Sequence, residues 1–139
     1  IGTEYVERGD KRKSVEDARR LSLTAHKGRS LFFFAEGTFT GISGLLPFHM
    51  GAFLAAAEAD LPVVPVAIRG TRNILLGNTY FPRRGTITVD IGDPIRPSAV
   101  DKDKAPDSWS RALILRDLAR EYILRHCGEP DLGEGKSPV

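Results

Sequence analysis

Cysteine is nearly missing from this chain: Cys127 is its one thiol, so no internal disulfide can staple the fold, and a reducing compartment suits it. Long apolar runs are missing too. No window approaches the roughly 18 uninterrupted apolar residues that a membrane-spanning helix needs. Nor is there an excess of one charge. Twenty Lys and Arg against eighteen Asp and Glu leave +2, too little to argue for nucleic acid. Aromatics make up 8% of the chain and are not interleaved with the basic residues, which removes the stacking platform of a nucleic-acid binder. Neither standard glycine-rich phosphate loop occurs, and Gly41-Ile42-Ser43-Gly44 is too sparse to serve as one, which counts against a nucleotide-binding domain. The chain opens at Ile1 without a methionine or a signal-like segment, within a residue or two of a strand-like stretch. We therefore expect a piece of a longer protein that lacks sequence before Ile1.

What is present reads as an ordinary globular chain, 41% hydrophobic and 27% charged, enough for one domain with a real core. Ile1 to Glu7 alternates like a strand. Ser14 with Asp17 three residues on is a capping-box pattern for a helix that Gly28 closes. Leu31 to Ala35 reads as a buried strand, Pro47 to Ala59 as an apolar helix rich in small residues, and Pro62 to Ile68 as a second buried strand. Gly70 to Gly85 is turn-rich, Thr86 to Ile91 alternates as a half-buried strand, and Gly92 to Pro106 is a loop. Trp109, Ala112, Leu113, Ala119, Tyr122 and Ile123 mark a last helix, capped by Asp107 or Ser108 and stopped by Gly128. This order implies an α/β domain over residues 1–128, with a mixed, largely parallel sheet flanked by helices, and a mobile tail over 129–139.

Both apolar runs end in polar groups. The first gives way to Glu36, Gly37 and Thr38, the second to Arg69, Gly70, Thr71 and Arg72. Polar residues at the ends of buried strands are where an α/β sheet presents its chemistry, so Glu36, Thr38, Arg69 and Arg72 suggest a site for an anionic, phosphate-bearing ligand. Lys11-Arg12-Lys13, Arg19-Arg20 and Arg83-Arg84 are local basic clusters that fit either a solvated surface or anionic lipid. Leu45-Leu46-Pro47-Phe48 fits either a membrane contact or a buried helix entrance. His126 and Cys127 adjoin, but neighbours on a helix point apart, and a structural thiol is the simpler reading.

Tyr5-Val6-Glu7-Arg8, then Phe34-Ala35-Glu36-Gly37-Thr38, then Leu61-Pro62-Val63-Val64-Pro65-Val66-Ala67-Ile68 resemble, in the right order, three of the four sequence blocks of the glycerolipid acyltransferases, the lysophosphatidic acid acyltransferase family. The resemblance covers roughly residues 1–95. It implies an enzyme of phospholipid biosynthesis that moves an acyl chain from acyl-CoA or acyl carrier protein to the hydroxyl of a lysophospholipid, with no cofactor and no metal. It also implies that Arg8, Glu36, Gly37 and Thr38 line the acceptor site, to which the strand-end reading adds Arg69, and that the Pro62 to Val66 segment lies near the acyl donor. Arg8 offers a planar fork of donors to a phosphate monoester, Gly37 permits close backbone approach, and Thr38 adds a hydroxyl. Arg8 and Glu36 also fit a structural ion pair, and Pro62 and Pro65 fit plain strand-boundary geometry.

Two departures stand out. Ala35 takes the place of the family's proline, and Phe39 the place of an arginine that would serve phosphate, so other cations must supply that charge. The family's catalytic block, a His and an Asp with four residues between them, lies upstream of Arg8, where only seven residues precede it. The chain as given is thus expected to lack the general base and to be inactive alone. His126 and Asp131 have that spacing but stand at the wrong end of the order, and His26 and His49 have leucines at the matching offset. The expected setting is cytoplasmic, at the cytoplasmic face of a membrane, with self-association through an exposed sheet edge. The rival reading is a non-catalytic module that binds phosphate or lipid at the same strand ends.

Overall fold

The computed structural model of the chain describes residues 20, 23, 30–38, 40–75, 81–100 and 105–133. The strand expected over Ile1 to Glu7, and nearly all of the helix expected from Ser14, fall outside them. The described elements are α1 (Gly51–Ala59), β1 (Val66–Arg69), the single-turn α2 (Thr71–Ile74), β2 (Thr88–Ile91), a 3-10 turn (Pro97–Ala99) and α3 (Ser108–Cys127). They divide into two compact units. The first takes in Ile1–Phe33, Met50–Val63 and Arg96–Arg116; the second takes in Phe34–His49, Val64–Ile95 and Asp117–Val139.

In the first unit, alanines at five of nine positions make α1 a strong helix former, and small side chains let Ala55 pack with Leu31 and Leu54. Asp60 ends α1 in the left-handed conformation, its N–H bonded to Ala56 O. α1 starts four residues later than the apolar pattern implied. The N–H of His49 is spent on Ala35 O at 2.9 Å, so the stretch before Met50 stays non-helical. α3 begins where expected: Asp107 Oδ1 accepts the N–H of Ser110 at 2.9 Å, the bond an N-cap residue makes. Ala112 and Leu115 in this unit, and Ala119 and Cys127 in the second, are its buried positions, whereas Trp109 is 52% exposed.

The second unit holds the sheet, and here the expectation of a largely parallel sheet is corrected. Among the described residues the sheet has two strands and is antiparallel, with Val66 opposite Ile91 and Ile68 opposite Val89. A parallel pair needs a crossover of about a dozen residues or more, usually a helix. The described part of the β1–β2 connection carries only the one-turn α2. The alternation expected of β2 is present but inverted: Thr88 and Asp90 are half-buried, while Val89 and Ile91 are 52% and 68% exposed.

The expected strand at Leu31 to Ala35 is also corrected. Among the described residues, 31–34 form no strand, and the chain turns at once, Gly37 N–H bonding Phe34 O at 3.0 Å. Phe32 and Phe34 are 68% and 79% exposed. Apolar character alone does not make a strand.

Leu45 and Phe48 are 6% and 7% exposed, so Leu45 to Phe48 is a packed segment. It is pinned by residues that follow α3. Leu45 N–H donates to Pro130 O at 2.8 Å, and Leu132 N–H donates to Leu45 O at 3.0 Å, around a parallel bridge between Leu45 and Asp131. Where the sequence suggested only a tail, the described residues 129–133 therefore bond to the body of this unit.

Candidate functional site

Glu36, Gly37 and Thr38 form one tight turn in the second unit, held from both sides. His49 N–H donates to Ala35 O, and the Glu36 carboxylate accepts the N–H of Leu46 at 3.0 Å through Oε2. Glu36 is thus engaged with backbone and helps to shape the turn. Gly37 is left-handed, with φ of 64°. A β-carbon there would lie 2.6 Å from His49 Cδ2 and 3.1 Å from Nε2, so the imidazole edge rests directly on the glycine. Glycine answers both demands, the backbone conformation and the lack of a side chain. Thr38 and His49 are exposed beside it.

The loop that follows is clamped by Arg72. Its Nε donates to Glu129 Oε1 at 3.0 Å, Nη1 to Gly41 O at 3.2 Å and Nη2 to Ile42 O at 3.0 Å. Glu129 Oε2 accepts the Ser43 hydroxyl at 2.5 Å. The Ser43 hydroxyl and then Arg72 hold the Glu129 carboxyl below the ordinary range. Arg72, expected at a ligand-facing edge, clamps this loop to Glu129 and also lines a cavity with Arg69.

A second clamp lies behind the turn. Arg120 Nη1 and Nη2 bond the Asp131 carboxylate, Nη2 also donates to Leu45 O at 3.2 Å, and the guanidinium stands 5.8 Å from the Phe48 ring centre. Arg120, and next the Gly133 N–H, hold the Asp131 carboxyl at about 2. Asp131 in turn pushes the Arg120 guanidinium up, with a smaller contribution from the charge of Glu36.

Arg69 ends β1 with its side chain 53% exposed and its Nε 3.8 Å from Asp90 Oδ2. It lines a cavity of about 370 Å³ with Arg72, Glu129, Asn73, Thr86 and Thr88, and residues 36–38 are not among the lining groups. Gly70, with φ of 90°, makes the turn out of β1; a β-carbon there would meet Thr86 O at 2.1 Å. The structure thus gathers Glu36, Gly37 and Thr38 in one turn and Arg69 and Arg72 in a separate cavity, while Arg8 lies outside the described residues. His126 and Asp131 do not form a pair. The His126 ring donates Nδ1–H to Tyr122 O at 2.7 Å and stacks on the Tyr122 ring, and Asp131 belongs to Arg120. Sequence reasoning missed His49 and both clamps. The clamp partners are far apart in sequence and carry no spacing signal, and His49 was judged only by its lack of a matching aspartate.

An acyltransferase family model matches residues 1–69, which take in the Glu36–Thr38 turn and β1. A chloroplastic 1-acyl-sn-glycerol-3-phosphate acyltransferase of Brassica napus is 37% identical over 102 residues, 73% of this chain and 30% of that protein. The 1-acyl-sn-glycerol-3-phosphate acyltransferase of Haemophilus influenzae is 33% identical over 123 residues, 88% of this chain and 49% of that protein. That of Saccharomyces cerevisiae is 30% identical over 106 residues, 74% and 35%. The chain belongs to the acyltransferase family. It spans between about a third and a half of the length of these relatives, from 30% to 49%. No solved structure matches.

Proposed function

We propose that the protein carrying this chain moves an acyl group from a thioester, acyl-CoA or acyl carrier protein, to the free hydroxyl of a lysophospholipid such as lysophosphatidic acid. The observation that carries this reading is the family match over residues 1–69, with Glu36, Gly37 and the exposed Thr38 gathered in one turn. The acceptor oxygen attacks the acyl carbon, the carbon–sulfur bond breaks, and the hydroxyl proton passes to a base and on to the leaving thiolate. In this reading the turn and Arg69 bind substrate, Arg8 adds a fork of donors to phosphate, and the base is a His oriented by an Asp outside this chain. Among the described residues no helix is long and apolar enough to cross a membrane. With Leu45 and Phe48 buried, the proposed contact with the cytoplasmic face of a membrane rests on the basic clusters, of which Arg83 and Arg84 are exposed.

The test is thiol release from acyl-CoA in the presence of lysophosphatidic acid, for the chain alone, its His126→Ala variant, and the chain extended upstream of Ile1. Turnover is expected only in the extended chain. Turnover by the chain alone that His126→Ala abolishes would make His126 the base after all. Ligand binding without turnover in every form would favour a non-catalytic lipid-binding module.

A further inference from the structure

His49 is the group at the turn that the acyl-transfer reading leaves without a task. Its ring lies along Gly37, it is exposed, and among the described residues neither ring nitrogen has a hydrogen-bond partner. The other ionic groups nearby are committed. Glu36 Oε2 is on the N–H of Leu46, Arg72 is on Glu129 and two carbonyls, and Arg120 is on Asp131 and Leu45 O. Arg69 faces a different cavity. With the Gly37 N–H spent on Phe34 O, what the turn offers an incoming ligand is the exposed Thr38 and the His49 imidazole.

That set suits a phosphate monoester. An imidazole donates an N–H whether neutral or charged, and a bond from its protonated form to a phosphate oxygen is charge-assisted, about twice as strong as a neutral one. The exposed Thr38 hydroxyl is a second donor beside it. An uncharged acceptor gains much less from the same two groups. We propose that His49 is a specificity-determining residue, seated on Gly37 and forming with Thr38 a subsite that reads the acceptor's phosphate and sets the preference for phosphorylated over uncharged acceptors. This rests on the acyl-transfer reading of the site.

The experiment measures binding of lysophosphatidic acid and of a monoacylglycerol with the same acyl chain, in one detergent, to the full chain and to its His49→Gln and His49→Lys variants. Circular dichroism checks that each variant is folded, as expected for an exposed side chain. The unaltered chain should favour lysophosphatidic acid. His49→Gln should cut that preference by about tenfold, the size of one charge-assisted bond, and His49→Lys should restore it. Monoacylglycerol binding should be the same in all three. If His49→Gln weakens both ligands equally, the ring only packs on Gly37 and the proposal is overturned. An unchanged preference in both variants overturns it as well and leaves the acyl-transfer reading standing. If neither ligand binds the unaltered chain, that reading falls and the proposal with it.

Discussion

At the scale of single residues, the second unit is organised by arginines that spend their donors on backbone. Arg72 gathers the carbonyls of Gly41 and Ile42 with the Glu129 carboxylate, and Arg120 gathers Leu45 O with Asp131. A planar guanidinium suits this task because its five donors are fixed in direction, which a lysine ammonium does not reproduce. Both carboxylates are held below their ordinary range, Asp131 at about 2. The sign follows from linkage: a carboxyl lowered by folding adds stability above its unfolded value and loses it as pH falls through its folded one. Residues 129–133 should therefore stay attached at neutral pH and release as pH falls from about 3.9, the ordinary aspartate value, to about 2. Amide exchange at Leu45 and Leu132, whose N–H groups bond across this junction, reports the release. An Arg120→Met variant should move the midpoint up toward the ordinary range; a midpoint that stays put would mean that Arg120 does not hold the segment.

At the scale of elements, α3 shows where sequence carries structure and where it does not. Its cap and stop were legible because each is a local bond or conformation: Asp107 takes the Ser110 N–H, and Gly128 is left-handed with φ of 71°. Its buried face was only partly legible. Leu115, fully buried, was missing from the apolar set read from sequence, and Trp109, which is 52% exposed, was included. A twenty-residue helix with apolar groups on several sides does not announce which side is covered. The Glu36–Thr38 turn was legible as a motif, whereas its support was not, since Arg72 and Glu129 are 57 positions apart. The Leu31 to Ala35 run misled for the converse reason, because a strand is defined by a partner that the run itself does not specify. Leu115→Ala should destabilise the fold by about 2–4 kcal/mol in urea unfolding, since it removes a fully buried side chain and leaves a cavity. Trp109→Ala, at an exposed position of the same helix, should cost less than about 1 kcal/mol. Equal losses would mean that the two faces of α3 are not distinguished as described.

At the scale of the molecule, the sheet raises a question of solubility. The antiparallel register puts Ile68 and Ile91 on one face with Val89, and the same alternation adds Ile87. All four are more than 40% exposed: 41% for Ile68, 68% for Ile91, and 52% each for Val89 and Ile87. The opposite face carries the buried Ala67 and the pairing of Arg69 with Asp90, so the strands turn their apolar side outward. Contiguous exposed β-branched residues on paired strands drive association, because covering them removes apolar area from water without unpairing any backbone group. The net charge of +2 on 139 residues opposes such contacts only weakly. The chain alone should therefore self-associate with rising concentration in sedimentation velocity. A charge set in the middle of this face, Val89→Lys, would be buried in any such contact and should return the chain to monomer with its secondary structure unchanged. Glu58→Lys, an exposed change outside the sheet, should leave association as it was. A chain that stays monomeric at every concentration, or a Val89→Lys variant that associates as strongly as the parent, would rule this face out as the sticky one.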